Sequence, residues 1–117
     1  MGKMAIVCNG AEPKSLFPTF VLGSSAAASG DTVYVFFTPG AVAALKPGVV
    51  EETKKKVFPD LIEMCNGVKA LGGKLYFCEL GLEACDVKKE DLRDDVELVG
   101  ATTFLTEIQG AQLTFSF

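Results

Sequence analysis

The sequence predicts an α/β fold in which helices cover both faces of a mostly parallel, five-stranded sheet. Three observations predict this fold. Short apolar or β-branched runs alternate along the 117 residues with segments of helical apolar spacing. Glycine, proline and asparagine separate the two kinds of segment. Right-handed crossovers between parallel strands then place helices on both faces of one sheet.

Five segments have the composition of strands. Residues 4–8 form a continuous apolar run, as expected of a central strand that is covered on both faces. Residues 32–37 are rich in β-branched and aromatic types, residues 74–78 end at a cysteine, and residues 96–99 form a shorter apolar run. Residues 112–117 alternate apolar and polar side chains, which is typical of a half-exposed edge strand.

The first connections are less uniform than the strands. Residues 15–29 form the longest predicted helix, which tolerates Pro18 because the first amides of a helix have no helical acceptor. Residues 41–45 fit a short helix or a turn. Residues 49–56 are charged and fit either a loop or a loose helix.

The later connections are also helical. Pro59 is placed to begin a helix that ends at the paired glycines Gly72 and Gly73. Its apolar stripe includes Phe58 and Cys65, so we interpret Cys65 as core packing. Asp86 is a candidate N-cap for a short helix after it. Shorter helices are predicted at residues 80–85, 87–92 and 100–108.

Length and composition exclude several classes of protein. A chain of 117 residues is one domain, residues 1–117, on length alone. The net charge is −4 and the one basic run, Lys54–Lys56, is offset by Glu51 and Glu52, which argues against direct nucleic-acid binding. No apolar run is long enough for a membrane span, and the first residues lack a signal-peptide layout. We therefore expect a cytoplasmic protein with no membrane partner.

The chemistry of a candidate site is limited by the absence of histidine. A Cys-His or Ser-His nucleophile pair and a histidine metal site are excluded, and no Cys-x-x-Cys motif occurs. The loop at residues 9–14 has one glycine and one acid, so it lacks a phosphate-binding pattern. The acids of residues 90–97 are typical of solvated surface. We expect no metal and no cofactor, which leaves thiol chemistry.

Cys78 is the candidate thiol because it ends the third predicted strand. The carboxyl ends of parallel strands form the edge at which α/β folds build their sites. Backbone amides of the next short helix would lower the pKa of a thiol there, whereas the neighbouring Glu79 opposes ionisation by like-charge repulsion. If the first and third strands are neighbours, Cys8 ends the adjacent strand at the same edge. A thiol without a histidine base suits thiol–sulfur exchange.

Two runs of the chain carry a family resemblance. They are GKLYFCELGLEACDVKKEDL at residues 73–92 and DVELVGATTFL at residues 95–105. These runs resemble the DsrE/DsrF-like family of sulfur-relay proteins, which includes the TusD-type subunits. The shared features are a strand that ends in cysteine, a short helical insert, a Lys-Lys-Glu-x-Leu helix start and a Val-x-x-x-Gly strand-to-helix turn. The run Ala27-Ala28-Ser29-Gly30 with the strand after it resembles the first crossover of that family.

The resemblance implies a flavodoxin-like α/β sandwich and a tendency to form homo- or hetero-oligomers, often trimers or hexamers. For this chain we expect a homo-oligomer, a trimer or hexamer. It also implies that Cys78 carries sulfur as a persulfide or thiosulfonate between donor and acceptor proteins. Gly100 matches the glycine after the fourth strand and would let backbone approach the thiol. Whether such a protein turns over as a sulfurtransferase or carries a stoichiometric load is left open.

The chain departs from the family pattern near the first strand. The family often has an acid there, and in the run from Cys8 and Asn9 only Glu12 offers one. Cys8 is an additional thiol, and Cys85 replaces a glycine that many relatives have. Either could resolve a persulfide on Cys78 or could be inert filler, and filler is favoured for Cys85.

A second hypothesis is a non-catalytic binding or assembly module with an incidental thiol. Hydrophobic residues make up 49% of the chain, which is high for a small monomer. The apolar Phe115 and Phe117 in the predicted edge strand could belong to an interface.

Overall fold

The computed structural model describes residues 2–52 and 60–117 and confirms the predicted α/β fold. The strands are β1 Lys3–Cys8, β2 Thr32–Phe37, β3 Lys74–Cys78, β4 Glu97–Val99 and β5 Leu113–Ser116. The α-helices are α1 Pro13–Ala28, α2 Val49–Glu52, α3 Leu61–Ala70, α4 Leu80–Ala84 and α5 Ala101–Glu107. Short 3₁₀ helices cover Pro39–Leu45 and Lys89–Asp91. The basic run at 54–56 and the predicted helix start at Phe58 and Pro59 lie outside the described residues.

The sheet is parallel throughout, and its strand order is β4-β3-β2-β1-β5. The condition under which Cys8 and Cys78 would end neighbouring strands is therefore not met, because β2 lies between β1 and β3. The first four strands are added one beside the next in chain order, and only β5 returns to the far side of β1. With right-handed crossovers, the early helices lie on one face and the helix before β5 lies on the other.

The two faces of the sheet have separate apolar clusters. The larger cluster packs α1 and α3 against alternate residues of the central strands, including Ile6, Val35 and Phe77. The smaller cluster contains Tyr76 and Phe104, and it joins α5 to the opposite face. Because side chains alternate along a strand, neighbouring residues of β3 belong to different clusters. This alternation decides which cysteine lies on which face.

The short elements near Cys78 differ from the sequence prediction in one respect. Asp86 is not an N-cap, because its φ of 52° places it in the left-handed conformation just after α4. The N-cap of the following 3₁₀ helix is Lys88, whose amide donates to Asp91 Oδ2 at 3.0 Å. An aspartate tolerates the left-handed region better than most residues, which explains why this turn accommodates it.

None of the helices in the described part of the chain is long and apolar enough to cross a membrane.

Candidate functional site

The carboxyl edge of the sheet brings together the turns that follow β1, β2, β3 and β4. Cys78 is the last residue of β3 and pairs in register with Val99 of β4. Its side chain is partly buried and packs against the smaller cluster, on the same face as Tyr76 and α5. The thiol is therefore reached from the carboxyl edge, on the face that the seven-residue α5 covers.

Glu79 and Gly100 lie beside Cys78. The amide of Glu79 donates to the carbonyl of Val99 at 3.0 Å, which extends the β3–β4 ladder by one bond. The carboxylate of Glu79 reaches back over Gly100, since a Cβ built on Gly100 would lie 3.0 Å from Glu79 Oε1. These three predicted site residues form one group at the ends of β3 and β4.

The amides of α4 are not arranged around the thiol as the sequence led us to expect. Gly81 of α4 packs so closely on Phe77 that a Cβ there would lie 2.5 Å from the ring. Phe77 belongs to the larger cluster, so α4 covers the face opposite to Cys78. The amide of Glu79, directly after Cys78, donates to the carbonyl of Val99 and not to the thiol. Helix α4 therefore anchors the turn from the other side of the sheet.

Cys8 lies at the same edge as Cys78 but not beside it. The two are separated by β2, and they point to opposite faces because Cys8 belongs to the larger cluster. Cys8 is 0% exposed, and its Sγ donates to the carbonyl of Gly10 at 3.4 Å. Burial raises the pKa of this thiol, against the smaller opposing effect of its hydrogen bonds. Cys8 stabilises the turn between β1 and α1.

Asn9 connects the ends of three strands. Its Nδ2 donates to Ser116 Oγ at 3.2 Å, and its Oδ1 accepts a bond from Thr38 Oγ1 at 3.0 Å. The backbone approaches closely here, since a Cβ on Gly40 would collide with the carbonyl oxygen of Asn9. Both polar ends of the amide are thus used within the protein. Thr38 was not predicted, although its place just after β2 identifies it as an edge residue.

Glu12 and Cys85 lie in other turns of the edge. Glu12 is the N-cap residue of α1, but its exposed side chain pairs with Lys14 at 3.5 Å and does not cap the helix. Cys85 follows α4 and donates from Sγ to the carbonyl of Pro39 at 3.6 Å. The structure thus groups Cys78 with Glu79 and Gly100, and it places Cys8, Asn9 and Glu12 at the end of β1.

Two further observations describe the surroundings of the thiol. Leu80, two residues after Cys78, is 76% exposed. Within the described ranges 2–52 and 60–117, no three cysteine, aspartate or glutamate side chains are placed to hold a metal ion. The sequence did not identify Leu80, because an isolated leucine in a short helix carries no signal of its exposure.

The comparison with curated proteins finds a partial match. An uncharacterized protein of Methanocaldococcus jannaschii, MJ0760, is 36% identical over 66 residues, which is 56% of this chain and 24% of that protein. The chain thus spans about a quarter of the length of this relative.

Solved structures of similar fold extend over the whole chain. The ychN protein of Escherichia coli matches with a TM-score of 0.74 and 22% identity over 100% of both chains. MTH1491 of Methanobacterium thermoautotrophicum, a protein of unknown function, has a TM-score of 0.74 at 12% identity and covers 98% of this chain and 99% of its own. At these identities the likeness establishes the fold.

The family profile decides the classification. The profile of the DsrE/DsrF-like family, a family generally linked to sulfur relay, matches residues 1–117. The chain belongs to the DsrE/DsrF-like family.

Proposed function

We propose that the protein is a small sulfur carrier that accepts sulfane sulfur on Cys78 and passes it to a partner protein. The observation that carries the proposal is a free, partly exposed thiol at the carboxyl end of β3 in a chain of the DsrE/DsrF-like family. Cys8 and Cys65 are buried, and neither is open to a partner. Reduced thiols are the form that a cytoplasmic location would maintain, so we propose that location as well.

The proposed reaction is an exchange between sulfur atoms. The Cys78 thiolate attacks the terminal sulfur of a donor persulfide, R–S–SH. The donor S–S bond breaks as the Cys78 S–S bond forms, so the products are a Cys78 persulfide and the donor thiolate. An acceptor thiolate then attacks the terminal sulfur and releases the Cys78 thiolate. One sulfane sulfur moves in each step with no net oxidation, and no water needs activation.

The absence of a histidine base fits this reaction better than hydrolysis. In exchange, the thiolate is itself the nucleophile and later the leaving group. A thiol that is half-buried in an apolar cluster can hold the added sulfur away from bulk solvent while its outer side stays open to a partner. The edge position of Cys78 thus supports a carrier that must be both protected and accessible.

The test is sulfur loading measured by intact mass. The reduced protein is incubated with inorganic polysulfide, desalted and weighed, and the wild type is expected to gain the mass of sulfur atoms. Cys78→Ser is expected to lose this gain. Cys85→Ser is the matched control, because Cys85 is the other partly exposed thiol and its loss should leave the loading intact.

Loading that is equal in Cys78→Ser and wild type would contradict the assignment. Loading that is lost in Cys85→Ser but kept in Cys78→Ser would move the carrier role to the thiol after α4. A second measurement follows transfer. The loaded wild type, mixed with a small thiol, should return to its unloaded mass while the thiol becomes a persulfide.

A second candidate function is assembly, which the α5 face favours. The described part of the chain places one seven-residue helix, α5, on this face of the sheet. Leu105 on α5 is 58% exposed. We propose that this face contacts other copies of the chain in a homo-oligomer, a trimer or hexamer. An assembly of this kind is compatible with sulfur transfer, and it would also be the whole function if the thiol proved inert.

A further inference from the structure

Gly100 is a glycine that its backbone does not require. Its φ of −79° and ψ of 161° are extended values that any residue adopts. It is also the N-cap residue of α5, a position where serine, asparagine or aspartate stabilises a helix more strongly. The backbone conformation therefore does not explain why residue 100 is a glycine.

The space beside Gly100 is occupied by the carboxylate of Glu79. A Cβ on Gly100 would lie 3.0 Å from Oε1 and 3.8 Å from Cδ of Glu79, and these are the atoms found within 4 Å beyond its chain neighbours. A distance of 3.0 Å is shorter than ordinary van der Waals contact. A side chain on Gly100 would therefore displace the end of the Glu79 side chain by a few tenths of an ångström.

Gly100 and Glu79 lie next to Cys78 in the fold. Val99 precedes Gly100, pairs with Cys78 across the β3–β4 ladder, and shares the smaller apolar cluster with it. Glu79 follows Cys78 and bonds through its amide to the same Val99. The β3–β4 ladder therefore holds the backbone of Glu79 next to Cys78, and the side chain of Glu79 extends from there over Gly100.

The charge of Glu79 is not neutralised there. Across residues 2–52 and 60–117, its carboxylate has no hydrogen bond or ion pair. Other charged groups on this face are engaged. Lys3 Nζ donates to the carbonyl of Glu107 at 3.0 Å, the carboxylate of Glu107 accepts from Tyr76, and Glu97 lies 3.9 Å from Lys74. Glu79 is thus an exposed acid without a described partner on the residue directly after Cys78.

The chain after Cys78 has the same sign. Residues 79–97 contain eight acidic and three basic side chains, whereas the rest of the chain is close to neutral. A negative charge at the reacting group slows the approach of anions and favours cations.

We propose that the Glu79 carboxylate makes the Cys78 thiol react more slowly with anionic sulfur compounds than with neutral and cationic ones. Gly100 is then a positioning residue, because its missing side chain leaves room for this carboxylate next to Cys78. The inference rests on the proposed function in that sulfur exchange at Cys78 is the reaction whose partner is selected. It names the chemical class of that partner, which is a sulfur donor or acceptor without negative charge next to its reacting sulfur.

The test compares disulfides that differ in charge. The Cys78 thiolate attacks R–S–S–R, forms the mixed disulfide and releases R–S⁻, with cystamine as the cationic probe, bis(2-hydroxyethyl) disulfide as the neutral probe and dithiodiglycolate as the anionic probe. Rates are measured in a Cys85→Ser background by mass, at low and at high salt. The ratio of the cystamine rate to the dithiodiglycolate rate is the readout, because the thiolate fraction cancels in it.

Glu79→Gln is expected to lower this ratio by about two- to fivefold at low salt, with little effect at high salt, because Glu79 is an exposed and screened charge. Glu83→Gln on α4 is the matched control, since it removes an exposed acid farther along the chain, and it should change the ratio less. Gly100→Ala should also lower the ratio. In the Glu79→Gln background, Gly100→Ala should leave the ratio unchanged, because the side chain that it displaces no longer carries a charge.

An unchanged ratio in Glu79→Gln would overturn the inference, and so would an equal effect of Glu83→Gln. An effect of Gly100→Ala that persists without Glu79 would overturn the role given to the glycine. Sulfur loading from polysulfide is scored separately on the same variants. A ratio that responds to Glu79 in a protein that never loads sulfur would reject the sulfur carrier alone, and loading with an unresponsive ratio would reject the charge selection alone.

Discussion

At the scale of single residues, the four cysteines differ in what surrounds them. Cys8 and Cys65 are buried in the larger cluster, whereas Cys78 and Cys85 are partly exposed at the carboxyl edge. The sequence identified Cys65 as core because it lies in a helical apolar stripe, and the structure confirms this. The sequence did not predict that Cys8 is buried whereas Cys78 is partly exposed, because both residues end apolar strands. Strand alternation tells which face of the sheet each cysteine points to only when the positions of the helices on the two faces are known.

The burial of Cys65 predicts a stability that depends on pH. Burial raises the pKa of this thiol from 9.0 to about 11, against the opposing effect of Arg93. The folded state keeps the proton after the unfolded chain has lost it, so this stability is fully present below the unfolded pKa. It is lost as pH rises from about 9 to 11, by up to about 3 kcal/mol.

Urea unfolding of the wild type and Cys65→Ala across this range measures the effect. Cys65→Ala is expected to be less stable at pH 7, because it leaves a cavity, and to lose less stability between pH 8 and pH 11. Other ionisable groups are common to the two proteins, so the difference between the two proteins is the readout. Parallel curves for the two proteins would reject a raised pKa for Cys65.

At the scale of elements, every strand was predictable from its apolar pattern, and the strand order was not. The connection from β2 to β3 gives no sign of whether β3 joins the sheet beside β1 or beside β2. That choice depends on packing between α1 and α3, which contact each other along the same face. For the same reason, the sequence could assign Cys8 and Cys78 to one edge but could not give the strand between them.

The short turns were also only partly predictable. Asp86 has the side chain of an N-cap, and the pattern of a helix start follows it. The chain instead uses it in the left-handed conformation after α4, because the amide of Val87 bonds back to Leu82. A local pattern therefore located the turn, and the contacts of α4 with β3 decided its geometry.

The contact of α4 with β3 predicts opposite effects for two helical glycines. Gly81→Ala would place a Cβ 2.5 Å from the ring of Phe77, which is a rigid group in the core, so we expect a loss of about 1 to 3 kcal/mol of stability. Gly67→Ala in α3 meets no atom within 4 Å and should be neutral or stabilising by up to about 1 kcal/mol.

Denaturant unfolding of the two variants compares these glycines in the same assay. A Gly81→Ala protein as stable as Gly67→Ala would show that α4 does not press on Phe77 as described. Since α4 holds the turn after Cys78 from the opposite face, Gly81→Ala should also increase amide hydrogen exchange in residues 79–85, which Gly67→Ala should leave unchanged.

At the scale of the whole molecule, the sheet is covered unequally. The larger cluster is covered by α1, α3 and the short elements near them, while α5 covers the other face. An exposed apolar surface on a small protein marks a site of contact with another chain. The family and the fold are established, and the assembly remains a proposal that a charge placed on one face can test.

Two leucines on opposite faces provide matched variants. Leu105 on α5 and Leu71 at the end of α3 are each 58% exposed. We expect the wild type to have a molar mass in solution that is a multiple of 12.4 kDa. Leu105→Asp should dissociate it, because an unpaired charge in an interface is costly, while Leu71→Asp should leave it assembled. Light scattering coupled to size exclusion measures the mass, and a monomeric wild type or an equal effect of both variants would contradict the proposal.

Mapping the position of the added sulfur tests whether the thiol at the end of β3 carries it. The wild type is loaded with polysulfide, its persulfide and thiol groups are alkylated, and its peptides are analysed by mass for all four cysteines. We expect the added sulfur on the peptide that contains Cys78, with Cys8 and Cys65 unloaded. Sulfur that appears on another cysteine, or on all accessible thiols equally, would contradict it.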